Sequence, residues 1–315
     1  YDGTASSLLV EPERTNLIPY SEDFSDSSWL RVGSITTTDN YTTSPSGQNN
    51  ATRLQWTNAT NYIYQSLPHF GSDFTLSIYL KSNTDVSQNV RLFMDNGAQG
   101  QDVVVTTQWQ RFELTNITTP TQSNRNAGLI KSGSQVGDLD ISIWNAQFEE
   151  GSYPTSIIPT DGGTVTRVQD QYSKTGISNL INSEEGVLFG ELNFGQIDSV
   201  SRYISVSDGT TNNRAIFGIE ANESILRYYL SSGGSIVVSL NFALSDISIF
   251  NKLAVKWKVN DFALWVNGVE VSNWASGSTP SAGTFNKLNF TSGGSGQNFF
   301  GKVKQLQVFK TALTD

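Results

Sequence analysis

Acidic side chains are the first candidates for chemistry in this chain, because hydrolysis of a glycosidic bond needs two carboxylates that flank the scissile bond. No segment shows the Glu-x-Asp-x-x-Glu spacing that would align several carboxylates along one strand. Glu149 and Glu150 are adjacent, so a strand would point their side chains to opposite faces. The sequence therefore predicts no acid–base pair, and we expect no catalytic activity.

The chain also has few of the residues that nucleophilic or metal-assisted catalysis requires. The chain has no Cys, which excludes disulfides, thiolate metal sites and a Cys nucleophile. Its one His is His69, which follows Pro68 in a loop-like segment. A catalytic triad or a His-ligated metal would have to use this residue, whereas a surface position is the expected role of a lone loop His.

The charge and the hydropathy of the chain argue against two classes of partner, nucleic acids and membranes. The formal net charge is −9, with 20 Lys and Arg, and no basic run occurs. A nucleic-acid-binding surface needs clustered Lys and Arg to neutralise phosphates, so no nucleic acid is expected as a partner. No stretch approaches 18 consecutive apolar residues, and we therefore expect no membrane insertion.

Aromatic residues are plentiful, with 7 Trp, 11 Tyr and 17 Phe. Saccharides are bound by an aromatic ring against the apolar face of a pyranose, with planar polar side chains for the hydroxyls. The best candidates for such contacts are side chains that lie in loops or off the apolar face of their strands. They are Trp56, Tyr62, Tyr64, Tyr79, Arg91, Tyr228 and Trp274.

The elements that must position these residues are strands. Leu76, Ile78 and Leu80 alternate with polar residues, and this period-two pattern recurs along the chain, whereas no long window has helical periodicity. Asn267-Gly268 lies between two apolar segments, which is a strong signal for a tight hairpin. The pattern predicts an all-β chain built from two antiparallel β-sandwich (jelly-roll) domains in tandem.

The predicted domain boundaries follow a change in composition near residue 151. We assign residues 1–160 to a first domain, with a connector at about 151–183 in which the strand signal is weak, and residues 184–315 to a second domain. Each domain is long enough to bury its own core.

The first domain resembles the carbohydrate-binding-like jelly-roll domains of phage tail proteins and of bacterial proteins that act on polysaccharides. Three segments carry this resemblance: Glu11 to Phe24 (EPERTNLIPYSEDF), Trp109 to Phe112 (WQRF) and Ile143 to Ser156 (IWNAQFEEGSYPTS). The second domain resembles the concanavalin-A-like and laminin-G-like sandwiches that often follow. The matching segments there are Glu185 to Leu192 (EGVLFGEL), Trp265 to Gly268 (WVNG) and Gly301 to Asp315.

The resemblance implies a structural calcium ion in the first domain, near its N-terminal strand and its last strand. The corresponding positions are Glu22, Asp23, Asp140 and Asn145. Their oxygen atoms are of the hard type that Ca²⁺ prefers. The alternative role for these Asp and Asn residues is the capping of turns.

Three functions are compatible with this architecture. The first is a non-catalytic region of a phage tail or appendage protein that recognises a host receptor through a cell-surface or matrix polysaccharide. The second is a pair of ancillary glycan-binding modules of a secreted bacterial polysaccharide-degrading enzyme. The third is a structural spacer of a virion or adhesin that packs against other domains or protomers of its parent protein. The corresponding locations are the virion tail, the extracellular space or the cell surface.

Overall fold

The structure is a computed structural model that describes residues 7–57, 60–68, 73–94, 99–116 and 124–313. His69 lies outside the described residues. Within the described part of the chain all regular elements are strands, and no helix there is long and apolar enough to cross a membrane. The prediction of an all-β chain with antiparallel β-sandwich domains is confirmed.

The strands are numbered in chain order. The first twelve are β1 (Leu8–Val10), β2 (Arg14–Asn16), β3 (Leu30–Val32), β4 (Thr36–Thr42), β5 (Ala51–Trp56), β6 (Tyr62–Pro68), β7 (Phe74–Ser82), β8 (Gln88–Met94), β9 (Gln99–Val105), β10 (Gln110–Asn116), β11 (Asn124–Lys131) and β12 (Leu139–Glu150). The remaining twelve are β13 (Val165–Arg167), β14 (Ser173–Thr175), β15 (Glu185–Asn193), β16 (Arg202–Ser207), β17 (Arg214–Ile219), β18 (Ile225–Ser232), β19 (Ser235–Ala243), β20 (Asn251–Lys258), β21 (Phe262–Val266), β22 (Val269–Trp274), β23 (Lys287–Asn289) and β24 (Gly301–Phe309).

The contacts divide the chain into two compact units. One unit comprises Glu13–Val168 and is called the N-unit, and the other comprises Tyr1–Pro12 together with Gln169–Asp315 and is called the C-unit. This division differs from the boundaries predicted at residues 160 and 184. The first strand, β1, pairs with β24 and so belongs to the C-unit, because an edge strand is added by long-range pairing that no local pattern reveals.

The N-unit is a sandwich of two five-stranded sheets. Sheet I has the order β3-β6-β11-β8-β9, and sheet II has the order β10-β7-β12-β5-β4. The predicted alternation is observed in β7, where Leu76, Ile78 and Leu80 are buried in the core. The short pair β2–β13 completes the unit.

A bulge in β12 changes which residues face the core. The pairing with β7 shifts between Trp144 and Gln147, and Asn145 has a left-handed φ of 46°. Asn tolerates this conformation better than most residues, and a bulge of this kind inserts an extra residue into the strand. As a result Ile143 and Ala146, which are three positions apart, both lie in the core.

The C-unit is a sandwich of two six-stranded sheets. Sheet III has the order β1-β24-β15-β20-β21-β22, and sheet IV has the order β14-β23-β16-β17-β18-β19. The hairpin predicted at Asn267-Gly268 is observed between β21 and β22, with φ values of 50° and 85° at these two residues. Positive φ at both central residues is the property that the Asn-Gly pair supplies in a tight hairpin turn.

Candidate functional site

The outward face of sheet I carries two ordered rows of side chains. In the first row Val32 lies opposite Tyr62, Tyr62 opposite Ile130, Ile130 opposite Arg91, and Arg91 opposite Asp102. The antiparallel register thus places one outward residue from each of the five strands side by side. Neighbouring strands are about 4.8 Å apart, so the row extends about 19 Å across the sheet.

The second row lies two residues further along each strand. It runs through Leu30, Tyr64, Gly128, Phe93 and Gly100, and each residue faces the next across the sheet. The two rows are about 7 Å apart, as expected for residues i and i+2 of a strand. Together they bring three of the predicted binding residues, Tyr62, Tyr64 and Arg91, onto one surface.

The aromatic rings of these rows pack on one another and form what we call the aromatic platform, defined by Tyr62, Tyr64 and Phe93. The ring centroids of Tyr62 and Tyr64 are 5.5 Å apart, and the ring of Phe93 meets that of Tyr62 edge-on at 5.8 Å. Phe93 is buried beneath its neighbours, whereas both tyrosines are partly exposed. Offset and edge-on contacts of this kind hold rings in fixed orientations.

Arg91 is held beside the platform by two contacts. Its guanidinium lies over Gly100, where an added Cβ would be only 2.7 Å from Nε of Arg91. Nη1 is also 3.5 Å from the carboxylate of Asp102, and 40% of the Arg91 side chain remains exposed. A planar guanidinium with several N–H donors is therefore presented next to aromatic rings.

Tyr79 is separated from these residues because it lies on sheet II. Its ring is 5.3 Å from that of Trp144, and the guanidinium of Arg111 lies over it at 5.7 Å. Trp144 is buried although it faces outward. Tyr79 therefore belongs to a second, more covered aromatic group and does not extend the platform.

Two of the predicted binding residues are corrected by the structure because they lie in the cores. Trp56 is 2% exposed and packs in the core of the N-unit, since it alternates with Leu54 and both face inward. Tyr228 is completely buried in the C-unit, and its hydroxyl donates a 3.0 Å hydrogen bond to the carbonyl oxygen of Lys256. Neither ring can present a face to a saccharide in this fold.

Trp274 is exposed, as its predicted role requires, but it stands alone. It ends β22, and 51% of it is accessible to solvent. No aromatic contact to it occurs among the described residues. The C-unit therefore has no counterpart of the aromatic platform around Trp274.

The four residues predicted to bind calcium are not brought together. Glu22 accepts a 3.0 Å hydrogen bond from Asn50 just before β5, whereas Asp140 lies opposite Gln55 near the end of the same strand. Five residues of strand span about 16 Å. Glu22 and Asp23 line a cavity of about 470 Å³ with Asp161, but Asp140 is not part of it.

Asp140 is instead the centre of a hydrogen-bonded network. Arg53 donates to its carboxylate through Nε at 2.8 Å and through Nη2, and Asn83 donates at 2.9 Å. Burial by itself would raise the pKa of Asp140, but the hydrogen bonds from Arg53 and Asn83 and the charge of Arg53 outweigh it and lower the pKa. An anion satisfied in this way is a structural partner of Arg53 and has little capacity left for a metal ion.

Asn145, the fourth predicted ligand, occupies the bulge of β12. It is 2% exposed, and its side-chain amide atoms make no hydrogen bond in the structure. Among the described residues no group of three or more His, Cys, Asp and Glu side chains is close enough to hold a metal ion. The residues present do not fit the predicted calcium site.

Sequence analysis missed Phe93 and Gly128 as parts of the surface. The alternation of β8 already placed Phe93 on the same side as Arg91, so this signal was available in the sequence. Gly128 had no such signal, because its contribution is the gap that it leaves between Tyr64 and Phe93.

No protein-family model matches the chain, and no curated protein matches it at a significant level. The solved structures similar to the chain include two that align with most of its length. Domains LG4-5 of the mouse laminin alpha1 chain have 10% identity and a TM-score of 0.31, covering 90% of this chain and 92% of the other. The tandem domain CBM22-1-CBM22-2 of Paenibacillus barcinonensis Xyn10C has 10% identity and a TM-score of 0.35, covering 98% and 100%.

Proposed function

We propose that this chain is a non-catalytic saccharide-binding protein and that the aromatic platform of the N-unit is its main contact surface. The observation that carries the proposal is the placement of Tyr62 and Tyr64 beside Arg91 on one outward sheet face. Flat aromatic surface next to fixed hydrogen-bond donors is what recognition of a pyranose requires.

The two rows give each part of a sugar a partner. The partly exposed rings of Tyr62 and Tyr64 accept the C–H face of a pyranose, and their hydroxyls contact its edge. Arg91 and Asp102 supply donors and acceptors for ring hydroxyls at the far side of the first row. The 19 Å length of the row, about four strand spacings, accommodates several sugar units of an extended chain.

The same surface offers no means of cutting a glycosidic bond. The two rows contain one carboxylate, Asp102, which is paired with Arg91. Both mechanisms of glycoside hydrolysis use a pair of carboxyl groups about 5–10 Å apart. A platform with a single carboxylate supports binding without turnover.

The biological setting is part of the proposal. The segments that resemble phage tail domains favour host-receptor recognition by a tail or appendage protein, at the virion or the cell surface. Ancillary modules of a secreted polysaccharide-degrading enzyme are the alternative. The gene neighbourhood separates them, because tail and lysis genes belong to the first setting and polysaccharide-utilisation genes to the second.

A titration with polysaccharide and oligosaccharide panels tests the binding proposal. Tyr62→Ala and Tyr64→Ala should each weaken binding by about tenfold, which is the loss of an aromatic contact. The matched control is Tyr41→Ala, because Tyr41 is an exposed tyrosine of the same unit that lies on β4 of sheet II. A flat response to the whole panel, or equal affinity of the Tyr62 and Tyr41 variants, would contradict the proposal.

A protein partner is a second candidate for the same face. Three aliphatic side chains border the platform and are markedly exposed: Leu30 at 41%, Val32 at 39% and Val104 at 56%. Exposed apolar side chains that cluster on one face often pack against a neighbouring module or protomer. Self-association that Val32→Asp abolishes, together with no response to saccharides, would favour this role over the first.

A further inference from the structure

The C-unit contains a polar cavity of about 400 Å³ that none of the predicted binding residues touches. It lies at the edge of sheet IV, where β14 pairs with β23. Segments far apart in the sequence line it, from Gln169 to Ser173 on one side and from Lys287 to Asn298 on the other. Its volume is at the lower end of the range for small-molecule sites, about 300–1,000 Å³, and suits a ligand of one or two rings.

The wall of this cavity is fixed by internal hydrogen bonds. Asn289 is 2% exposed, accepts a hydrogen bond from Ser205 and donates one of 2.7 Å to Thr291. Thr291 in turn donates to the carbonyl oxygen of Gly294 at 3.0 Å. A cavity whose wall is bonded in this way is preformed, so a ligand meets little entropic cost of ordering the loop.

Glycine at position 293 is required for this loop to close. Its φ is 107°, a region that residues with a side chain rarely adopt, and an added Cβ would lie 2.9 Å from the carbonyl oxygen of Thr210. The loop therefore brings its backbone close to the neighbouring segment. Neighbouring Gly294 also lines the cavity, so backbone rather than side chain faces a ligand there.

An aromatic ring stands at the cavity and is held in place. Tyr172 is 39% exposed, and its ring centroid is 5.6 Å from that of Phe290. Its carbonyl oxygen accepts a 3.1 Å hydrogen bond from the amide of Phe290. Backbone and ring are thus both fixed, while a large part of the tyrosine stays available for contact.

Among the residues that the structure describes, each polar side chain around the ring has one atom that makes no hydrogen bond. Asp170 accepts the amide proton of Glu11 through Oδ2 at 2.9 Å, which leaves Oδ1. Asn298 donates to Oε1 of Gln169 at 2.8 Å, which leaves Oδ1 of the first and Nε2 of the second. Two acceptors and an amide donor of this kind match the mixed donor and acceptor character of vicinal hydroxyls.

From this arrangement we infer a second saccharide site in the C-unit, one that takes a terminal sugar or a disaccharide by its hydroxyls and one ring face. Tyr172 contacts the ring face, and Asp170, Gln169 and Asn298 bind the hydroxyls. The charges of Asp170 and Lys287, both at the cavity, offset each other, so the site favours a neutral sugar. This site uses none of the platform residues and stands whether or not the platform binds a ligand.

Saturation-transfer NMR on the full chain carrying Tyr62→Ala and Tyr64→Ala, which removes the exposed rings of the platform, tests this inference. The probes are methyl glycosides of glucose, galactose and mannose, N-acetylglucosamine, and the disaccharides cellobiose, maltose and lactose. At least one probe should show transfer, and Tyr172→Ala and Asp170→Asn should weaken its affinity by about tenfold. Tyr172→Phe keeps the ring and should weaken it less than Tyr172→Ala.

A variant that fills the cavity distinguishes loss of binding from loss of folding. Ser295 is an exposed residue at the cavity, so Ser295→Trp should fill the opening and abolish transfer without disturbing the core. Ser276→Trp, at an exposed serine elsewhere in the C-unit, should leave transfer unchanged. No transfer from any probe, or transfer that survives Ser295→Trp, would overturn the inference. Transfer that the native chain shows and the chain with both tyrosine substitutions lacks would assign the ligand to the platform alone.

Discussion

The indole Nε1 of Trp109 donates a 2.9 Å hydrogen bond to the carbonyl oxygen of Thr43, although the two residues flank opposite edge strands of sheet II. Trp109 directly precedes β10, and Thr43 directly follows β4. The ring of Trp109 also lies near the ammonium group of Lys81, at 5.9 Å. Trp109 therefore links the two edges of sheet II through Thr43 and also contacts Lys81 of the strand next to β10.

Loss of the hydrogen bond between Trp109 and Thr43 should destabilise the N-unit. We expect Trp109→Phe, which loses the hydrogen bond, to lower the free energy of unfolding by about 1 kcal/mol, and Trp109→Ala, which also loses the ring contact with Lys81, to lower it further. Urea unfolding followed by circular dichroism measures the change. Trp274→Phe is the control, because Trp274 is 51% exposed, and it should stay within about 0.5 kcal/mol of the native chain. If Trp109→Phe and Trp274→Phe change the free energy of unfolding equally, the Trp109 hydrogen bond does not stabilise the N-unit.

The network around Asp140 predicts a pH-dependent contribution to stability. Hydrogen bonds and the charge of Arg53 lower the pKa of Asp140 in the folded state. A carboxyl group with a lowered folded pKa stabilises the protein above its ordinary pKa of about 3.9, and this contribution is lost as the pH falls through the folded value. Asp140→Asn should therefore destabilise the chain by about 1–3 kcal/mol at pH 7.

The difference between native chain and Asp140→Asn should be constant from about pH 5 to pH 8 and shrink below about pH 4. Thermal unfolding across this range measures it. Asp85→Asn is the matched control, since Asp85 is exposed, and it should show no comparable difference at any pH. A gap that persists unchanged at the lowest pH would mean that packing of the amide, and not loss of the charge, accounts for the destabilisation.

Local patterns predict much of the fold because alternation and hairpin chemistry are local. Leu76 to Leu80 and the Asn267-Gly268 turn needed no tertiary information. Alternation also marks Trp56 and Tyr228 as inward, because Trp56 shares its phase with Leu54 and Tyr228 shares its phase with Leu226. The prediction that these two rings bind a saccharide therefore contradicts a signal that the sequence itself carries.

The sites depend on long-range register, and the sequence could specify them only in part. Tyr62 and Tyr64 are paired by period two alone, but their meeting with Arg91 requires β11 to lie between β6 and β8. The cavity near Tyr172 joins segments more than 100 residues apart. The β12 bulge at Asn145 shifts the phase of a strand that otherwise alternates regularly, and no residue pattern marks such a shift uniquely.

Tyr228 should contribute to stability and not to binding. Its hydroxyl joins β18 of sheet IV to the carbonyl oxygen of Lys256 in β20 of sheet III, at 3.0 Å inside the core. Tyr228→Phe leaves that buried carbonyl without this donor and should cost about 1–2 kcal/mol in urea unfolding. Saccharide affinity should be unchanged. Tyr41→Phe, at an exposed tyrosine, serves as the control for loss of a hydroxyl, and a binding defect in Tyr228→Phe alone would contradict the core assignment.

Substitution of Gly128 should have the largest effect of any single change on the geometry of the aromatic platform. It lies between Tyr64 and Phe93 in the second row, and an added Cβ would be 2.1 Å from the carbonyl oxygen of Ile63 and 2.7 Å from Cα of Tyr64. These are backbone atoms that cannot move aside without breaking the pairing of β6 with β11, so Gly128→Ala should lower the free energy of unfolding by about 1–3 kcal/mol.

The substitution should also displace Tyr64 and weaken saccharide binding, measured at a temperature where the variant remains folded. The control is Gly133→Ala, because an added Cβ at Gly133 meets nothing within 4 Å. Its stability should remain within about 0.5 kcal/mol of the native chain. Gly128→Ala could instead be as stable as Gly133→Ala and bind saccharide equally well. The sheet would then have relaxed around the added Cβ at no cost in free energy, and the close approach of β11 to β6 would not set the spacing of the platform rings.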